Sequence, residues 1–237
     1  MIKEAHSKEE EEVDASMTIK SMFVLAIATS IDALAGGVDV NSAVTVSKGV
    51  LNLGSNVRNL SVNGAIQVDG DINATGNPTV GAGDMNVAAS GSQAFVMNGA
   101  AIVVKGDVNV VDDSVARNIQ FDAPLITIDG GANVANKGYL VLGTDTASVV
   151  NVGNVVDFSN GGTLETWANN FTAGAINGNG LFITHGENII ADAGDIDVVG
   201  GLVVDSLRAD VPTTGLVVRD TNTLNVITRA DGADINF

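Results

Sequence analysis

The chain has 237 residues, among which there is no cysteine and there are only three prolines. Without cysteine it can form neither a disulfide framework nor a thiolate metal site. Aromatic residues are scarce as well, with seven Phe, one Trp and one Tyr. A compact globular core takes much of its volume from aromatics, each of which buries about 150–250 Å². This chain must therefore fill its interior with small and β-branched side chains, as narrow and repetitive cores do.

Positive charge is also in short supply. The chain carries 11 Lys and Arg against 28 Asp and Glu, which gives a formal net charge of −17. Binding of phosphates requires clustered Lys and Arg, so the composition argues against a nucleic-acid partner. The acidic excess favours solubility and is compatible with binding of cations or basic surfaces.

Long apolar runs are missing with one exception, Met22–Ala35. A membrane-spanning helix needs about 20 apolar residues, and this run is shorter and contains Asp32. The acidic stretch Glu9–Glu12 precedes it and predicts a solvated helix or a disordered segment. We therefore divide the chain into an acidic segment with a short apolar helix, residues 1–35, and a different second part, residues 36–237.

The apolar helix has several interpretations. Lys20 with Met22–Ile31 and the Ala33-Leu34-Ala35 site resembles an export signal, which would place residues 36–237 outside the cell. Acidic residues upstream and Asp32 close to the cleavage site oppose that interpretation. A membrane anchor, a transporter-like fragment and a soluble cap remain open, as does a fusion of two unrelated parts.

The second part repeats one short phrase. Gly106–Val110 reads Gly-Asp-Val-Asn-Val, and close copies begin at Gly70, Gly83 and Gly194. Each copy predicts a turn glycine, a variable residue, and a short strand with one dry and one wet face. Because the residues between the apolar positions drift, we interpret the phrase as a structural unit rather than as a site.

Short apolar alternations of this kind recur throughout residues 36–237, separated by Gly, Asn and Asp, and predict an all-β fold. We expect a β-solenoid of roughly 20–25 residues a coil and about eight to ten coils. Uneven spacing of the repeated phrases predicts irregular coils with inserted loops. A fibre-like chain that trimerises, or a closed sandwich or barrel, is the alternative.

Two resemblances accompany these patterns. Ala28-Thr29-Ser30-Ile31-Asp32-Ala33-Leu34-Ala35, with the acidic lead Lys8–Asp14, resembles the central segment of bacterial manganese efflux pumps. That resemblance implies that Asp32 is an intramembrane carboxylate on a manganese path, and hard oxygen ligands suit Mn²⁺. One helix cannot form an alternating-access pathway, however.

The repeats resemble a second class of protein. The Gly-Asp phrases are similar to those of secreted β-helix adhesins and autotransporter passengers. Leu60–Gly64, Val68–Ile72 and Thr213–Asp220 resemble segments of viral tail fibres. The resemblance implies an elongated surface protein that binds other molecules without catalysis.

Several polar residues are candidates for chemistry. Asp69, Asp71 and Asn73 alternate as in a calcium loop, but the glycine and the distal carboxylate of an EF-hand are missing, which favours plain turn residues. Asp192, Asp195 and Asp197 form a similar group.

Histidine and the scarce aromatics give weaker signals. His185 and Glu187 are too few for a zinc site. Trp167, Phe171 and Tyr139 could offer a sugar-stacking surface, although we expect them in the core.

We therefore predict a non-enzymatic extracellular or cell-surface β-repeat protein that presents polar faces to a carbohydrate or protein ligand. A homo-oligomer is compatible with this prediction, membrane contact is expected only through residues 22–35, and no cofactor is required, with calcium as the open case. The alternatives are a manganese efflux fragment carried by Asp32 and a polysaccharide-active enzyme on the same solenoid.

Overall fold

The computed structural model of the chain describes residues 36–145, 147–158, 161–186, 188–198, 202–204, 216–218, 225–228 and 235–236. Our predictions for the apolar helix at residues 22–35, the export signal, Asp32 and Glu187 lie outside these residues. Of Thr213–Asp220, only residues 216–218 are described. Apart from turns and connecting segments, the described part consists of β-strands, and it contains no α-helix. The predicted all-β fold is confirmed.

The described chain contains 22 strands. The first eight are β1 (Gly36–Val40), β2 (Val44–Val46), β3 (Leu51–Leu53), β4 (Val57–Val62), β5 (Ala65–Val68), β6 (Ile72–Thr75), β7 (Met85–Val87) and β8 (Phe95–Asn98). The next seven are β9 (Ala101–Val104), β10 (Val108–Asp122), β11 (Leu125–Ile128), β12 (Ala132–Leu142), β13 (Val149–Asp157), β14 (Thr163–Thr166) and β15 (Asn170–Gly178). The last seven are β16 (Leu181–Thr184), β17 (Asn188–Ala191), β18 (Ile196–Val198), β19 (Leu202–Val204), β20 (Leu216–Val218), β21 (Asn225–Thr228) and β22 (Ile235–Asn236).

All strand pairings among these residues are parallel, and they sort the strands into three stacks that we call faces A, B and C. Face A contains β1, β4, β8, β14, β16, β19, β20 and the second halves of β10 and β12. Face B contains β2, β5, β9, β11, β17, β21 and the first halves of β13 and β15. Face C contains β3, β7, β6, β18, β22, the first halves of β10 and β12 and the second halves of β13 and β15. Successive strands along the chain visit A, then B, then C, which is the winding of a β-solenoid. The exceptions are β6 and β7, which both lie in face C, and β19 and β20, which both lie in face A.

The interior is a set of aliphatic ladders. On face B one ladder runs through Val44, Ile66, Ile102, Ile126, Val150, Phe171 and Ile189, each opposite the next in register and each almost fully buried. In a parallel stack, equivalent positions of neighbouring coils point the same way, so an alternating sequence buries one residue in two. The small volume of these side chains sets the narrow core that the scarcity of aromatics predicted.

Five phenylalanines occupy this core without exposure: Phe95, Phe121, Phe158, Phe171 and Phe182. Phe171 and Phe158 flank Phe182, with ring centroids 5.4 and 6.3 Å from it. The prediction of burial is confirmed for Phe171. It is wrong for Tyr139 and Trp167, which are only partly buried and lie outside the core cluster.

The winding around β7 is irregular, as the spacing of the phrases predicted. After β6 the chain runs through residues 76–84 and returns as β7, which inserts between β3 and β6 on face C. The Asp84 carboxylate holds this loop closed, because it accepts hydrogen bonds from the Gly81 N–H at 2.8 Å and from the Thr79 hydroxyl. Val80 stands at the loop tip with 90% of its surface exposed.

A buried ion pair secures the corner at which β10 passes from face C to face A. The Arg117 guanidinium lies 2.7 Å from an Asp112 carboxylate oxygen, and both side chains are more than nine-tenths buried. Arg117 also donates to the carbonyl oxygens of Ala88 and Ala89, at 2.9 and 3.1 Å, in the segment after β7. The pair therefore ties the corner of one coil to the backbone of the coil before it.

Candidate functional site

The three residues of the predicted calcium loop have separate protein partners. Asp69 accepts a 2.7 Å hydrogen bond from Gln67 and forms a 2.8 Å ion pair with Lys105 of the next coil. These two contacts, the one to Lys105 first, lower the pKa of Asp69. Asp69 therefore acts as a link between neighbouring coils.

Asp71 belongs to a ladder of carboxylates and backbone amides. Its Oδ1 accepts from the Asp107 N–H at 2.8 Å, and its own N–H donates to Asp84 at 3.0 Å. Asp107 in turn accepts from the Gly131 N–H at 2.7 Å. The Asp of the repeated phrase therefore binds the neighbouring coil at Asp71, Asp84 and Asp107, which is consistent with our interpretation of the phrase as a structural unit.

The glycine of the phrase is required by the same ladder. A Cβ at Gly106 would lie 2.1 Å from Asp71 Oδ1, and one at Gly130 would lie 2.3 Å from Asp107 Oδ1. Contacts below 3.0 Å do not occur between real side-chain carbons and such atoms. Glycine is thus the residue that leaves room for the carboxylate of the preceding coil.

Asn73 lies in a longer column on the outer side of face C. The column consists of one polar residue from each strand, in register from one coil to the next: Asn52, Asn86, Asn73, Asn109, Asn133, Asp157, Asn177 and Asp197. Amide contacts join several members, including Asn109 to Asn73 at 3.0 Å and Asn86 to Asn52 at 2.8 Å. We call these eight residues the face C column.

No group of three or more His, Cys, Asp or Glu side chains in the described ranges is arranged to hold a metal ion. Asp69, Asp71 and Asn73 are thus brought to neighbouring turns, but each is held by a different contact. Of the second acidic group, Asp197 lies in the face C column, whereas Asp192 and Asp195 are exposed. Calcium binding stays a prediction.

A different cluster of chemically versatile side chains lies on the outer side of face A. It consists of Tyr139, Glu165, Trp167 and His185, which we call the Trp167 cluster. The Tyr139 hydroxyl donates to Glu165 Oε2, and His185 Nε2 lies 2.9 Å from Glu165 Oε1. The indole of Trp167 stacks on the imidazole of His185, with ring centroids 3.7 Å apart and planes inclined by 12°.

Strand register creates this cluster. Leu164 of β14 pairs with Leu140 of β12 and Phe182 of β16, all of which point into the core. Glu165 occupies the outward position that follows Leu164 in β14. Trp167 lies two residues after Glu165, and His185 lies two residues after Ile183, the partner of Glu165 in β16. Residues that are about 20 apart in sequence therefore meet in one column, because one turn of the solenoid separates them.

The outer surface around the cluster is sheltered. Val141, Glu165 and Ile183 occupy equivalent outward positions of adjacent strands, yet their exposed fractions are 8%, 4% and 1%. Val141 and Ile183 do not belong to the core cluster. Face A thus has a second buried region, on the side of the sheet that points away from the core.

His185 Nδ1 is buried and has no hydrogen-bond partner among the residues that the structure describes. Sequence reasoning named His185, Trp167 and Tyr139 separately and missed Glu165. Glu165 follows the buried Leu164 at an ordinary outward position of the strand pattern, so no local signal marks it, and only the coil register connects it to the other three.

Comparison with known proteins reaches only the start of the chain. The Mntp family of manganese efflux pumps matches residues 1–66, well under half of the 237 residues. This match supports the resemblance seen around Asp32. Its described portion, residues 36–66, forms β1 to β4 and the start of β5.

No curated protein and no solved structure matches the chain. Among the described residues no helix has the length and hydropathy required to cross a membrane.

Proposed function

We propose that the β domain is a non-catalytic, rigid module of an extracellular or cell-surface protein, which binds a carbohydrate or protein ligand through its polar outer side. The observation that carries the proposal is the face C column. Each amide has two N–H donors and two acceptor lone pairs. Asn86 uses both of its N–H donors on Asn52 and on the Thr79 carbonyl, but Asn109 uses one donor on Asn73, which leaves its second donor for a ligand.

The solenoid gives such a surface its rigidity. Column members project from strands whose neighbours lie about 4.8 Å away on either side. The aliphatic side chains on the inner side of each strand pack in the core and hold the strand in place. Preorganised donors and acceptors lose little conformational entropy on binding. An array of amides on a rigid sheet is therefore suited to adhesion, as in the adhesins that the repeats resemble.

Substitution of column members that are exposed or half-buried tests the proposal. We expect the triple variant Asn109→Ala, Asn133→Ala and Asn177→Ala to lose binding to any defined glycan or matrix protein that the wild type binds on an array. The loss should be at least tenfold, since each hydrogen bond contributes about 1 kcal/mol. The matched control is Thr127→Ala, Asn151→Ala and Thr172→Ala in the outward column of face B. Equal loss in both variants would contradict a role for face C.

A second candidate function, manganese efflux, is favoured by the family match over residues 1–66. It would rest on Asp32, whose carboxylate suits Mn²⁺. Against it, residues 36–66 of the matched segment form strands of the solenoid, whereas transport requires several packed helices around a midplane site. The manganese tolerance of cells that express the full chain can be compared with that of cells that express its Asp32→Asn variant. We expect equal tolerance; lower tolerance with the variant would support efflux.

A further inference from the structure

The Trp167 cluster contains one atom whose chemistry is unfulfilled. Glu165 can accept hydrogen bonds from Tyr139 and His185 together when it is ionised, since a carboxylate has acceptors only. His185 Nε2 is then the protonated nitrogen that donates to Glu165 Oε1. A carboxylate that orients a histidine in this way leaves the other ring nitrogen, Nδ1, as the functional atom.

Nδ1 of His185 has no partner among the described residues although the side chain is only 1% exposed. Leaving a buried polar atom unpaired is costly, and native proteins rarely retain such an atom without a reason. The unpaired nitrogen lies on the outer side of face A, so it does not contribute to packing of the core.

The ligand class follows from the neighbours. A hydroxyl group can donate to a neutral Nδ1 or accept from a protonated one, so it satisfies this nitrogen in either state. The indole beside it offers a flat apolar surface with a polar edge. Hydroxyl groups beside flat C–H surfaces are the chemistry of sugar rings.

We propose that the Trp167 cluster is a saccharide-binding subsite, in which a sugar hydroxyl pairs with His185 Nδ1 and the sugar ring packs against Trp167. Tyr139 and Glu165 position the imidazole. Because Nδ1 is sheltered, the indole must shift when the hydroxyl arrives. The subsite lies on face A and does not depend on the face C column.

Intrinsic fluorescence tests the proposal directly, because Trp167 is the single tryptophan of the chain. The probes are D-glucose, D-galactose and N-acetyl-D-glucosamine, titrated into the full-length protein, with glycerol as the hydroxyl-bearing control. We expect a saturable shift of the emission with at least one sugar and none with glycerol. Linear, unsaturated responses to all three sugars would overturn the proposal.

Two substitutions of His185 separate its nitrogens. His185→Gln keeps a donor near the position of Nε2 and removes Nδ1, whereas His185→Asn keeps a polar atom near Nδ1 and removes Nε2. We expect the Gln variant to lose the saturable response at least tenfold in affinity and the Asn variant to retain part of it. An unchanged response in His185→Gln would refute the assignment of Nδ1.

The imidazole itself supplies a readout that needs no variant. The chain has two histidines, so nitrogen NMR of the imidazoles in the wild type gives few signals, and His185→Gln or a His6→Gln variant assigns them. Saturating sugar should shift the Nδ1 resonance of His185 and leave that of His6 unchanged. No shift in the presence of a saturable fluorescence response would place the sugar elsewhere and overturn the proposal.

The face C triple variant distinguishes this inference from the proposed function. It should keep the fluorescence response to sugars even where it loses array binding. Loss of the fluorescence response in that variant would contradict two independent sites.

Discussion

Removal of the Arg117 side chain should destabilise the solenoid more than any surface substitution. Arg117→Met keeps most of the aliphatic volume but deletes the charge that faces Asp112, along with donors to the Ala88 and Ala89 carbonyl oxygens. Breaking a buried ion pair by removal of one partner costs about 3–5 kcal/mol, because the remaining charge is left buried. With a denaturant slope of about 1–3 kcal/mol per molar urea, the midpoint should fall by about 1 M or more.

A double-mutant cycle shows whether the pair is the cause. Asp112→Asn retains an oxygen for the backbone N–H groups of Ser114 and Val115, which Asp112 Oδ1 accepts at 2.8 and 3.2 Å. The double variant Asp112→Asn with Arg117→Met contains neither charge, so it should lose about 1–3 kcal/mol less than the two single losses added together. The assay is urea unfolding followed by far-ultraviolet circular dichroism. Strict additivity of the three unfolding free energies would refute the reasoning.

The same carboxylate predicts a pH dependence. The Ser114 hydroxyl, and with it the Ser114 and Val115 N–H groups and Arg117, holds the pKa of Asp112 far below its ordinary value of 3.8. A group with a lowered folded-state pKa stabilises the fold fully above its unfolded value and loses this contribution as pH falls below it. The stability difference between wild type and Asp112→Asn should therefore be constant above about pH 5 and shrink below pH 3.8. A difference that is the same at pH 3 and pH 6 would contradict the assignment.

Three further substitutions follow from the links between coils. Gly106→Ala places a Cβ 2.1 Å from Asp71 Oδ1 and 2.7 Å from the Gly70 carbonyl, so we expect a loss of about 2–4 kcal/mol in urea unfolding. Its control, Gly91→Ala, meets no atom within 4 Å and has only the strain of a φ of 103°, about 1 kcal/mol. Asn109→Ala removes the contact to Asn73 and should cost about 1 kcal/mol, whereas Thr127→Ala on face B should stay within about 0.5 kcal/mol. Lys105→Gln should leave the urea midpoint unchanged, because half of the lysine side chain is exposed and such pairs are weak and screened by salt.

The inward half of the fold was predictable from the sequence. The alternation in Ile66 and Val68, or in Ile102 and Val104, predicts a short strand with one buried side, and these four residues are fully buried. Parallel stacking of such strands in successive coils forms the solenoid and buries their aliphatic side chains in a core with few aromatics. Alternation with a period of two is a property of each strand alone, so the buried positions can be predicted from the sequence of that strand.

The outward half was not predictable, because it depends on register. Asn73 and Asn86 are 13 residues apart but adjacent in the stack, and Asn109 adjoins Asn73 from the other side. The insertion of β7 between β3 and β6 sets that order. The phrase beginning at Gly83 contains no sequence signal that predicts this insertion. A shift of one residue in any coil would point its polar residue inward. Register is thus decided by the whole stack, including the Asp71, Asp84 and Asp107 carboxylates that each bind the neighbouring coil.

This division indicates where function should be sought in the molecule. Inward positions of the solenoid are interchangeable aliphatics, and a substitution there changes stability without changing chemistry. Outward positions of neighbouring coils lie side by side. A residue type that recurs at these positions, or a side chain that is buried there, does not contribute to the core and is therefore a candidate for function. Face C shows recurrence, in a column of amides, and face A shows shelter, in Glu165 and His185 beside the single tryptophan.

Because one turn of backbone separates the members of each group, insertion of a residue within a coil between Trp167 and His185 would dismantle the Trp167 cluster while the strands on either side still formed. Loss of the Trp167 emission characteristic of the stacked ring, with the β-sheet circular dichroism retained, is the expected outcome. Retention of that emission would mean that the indole is held by something other than the register of the coils.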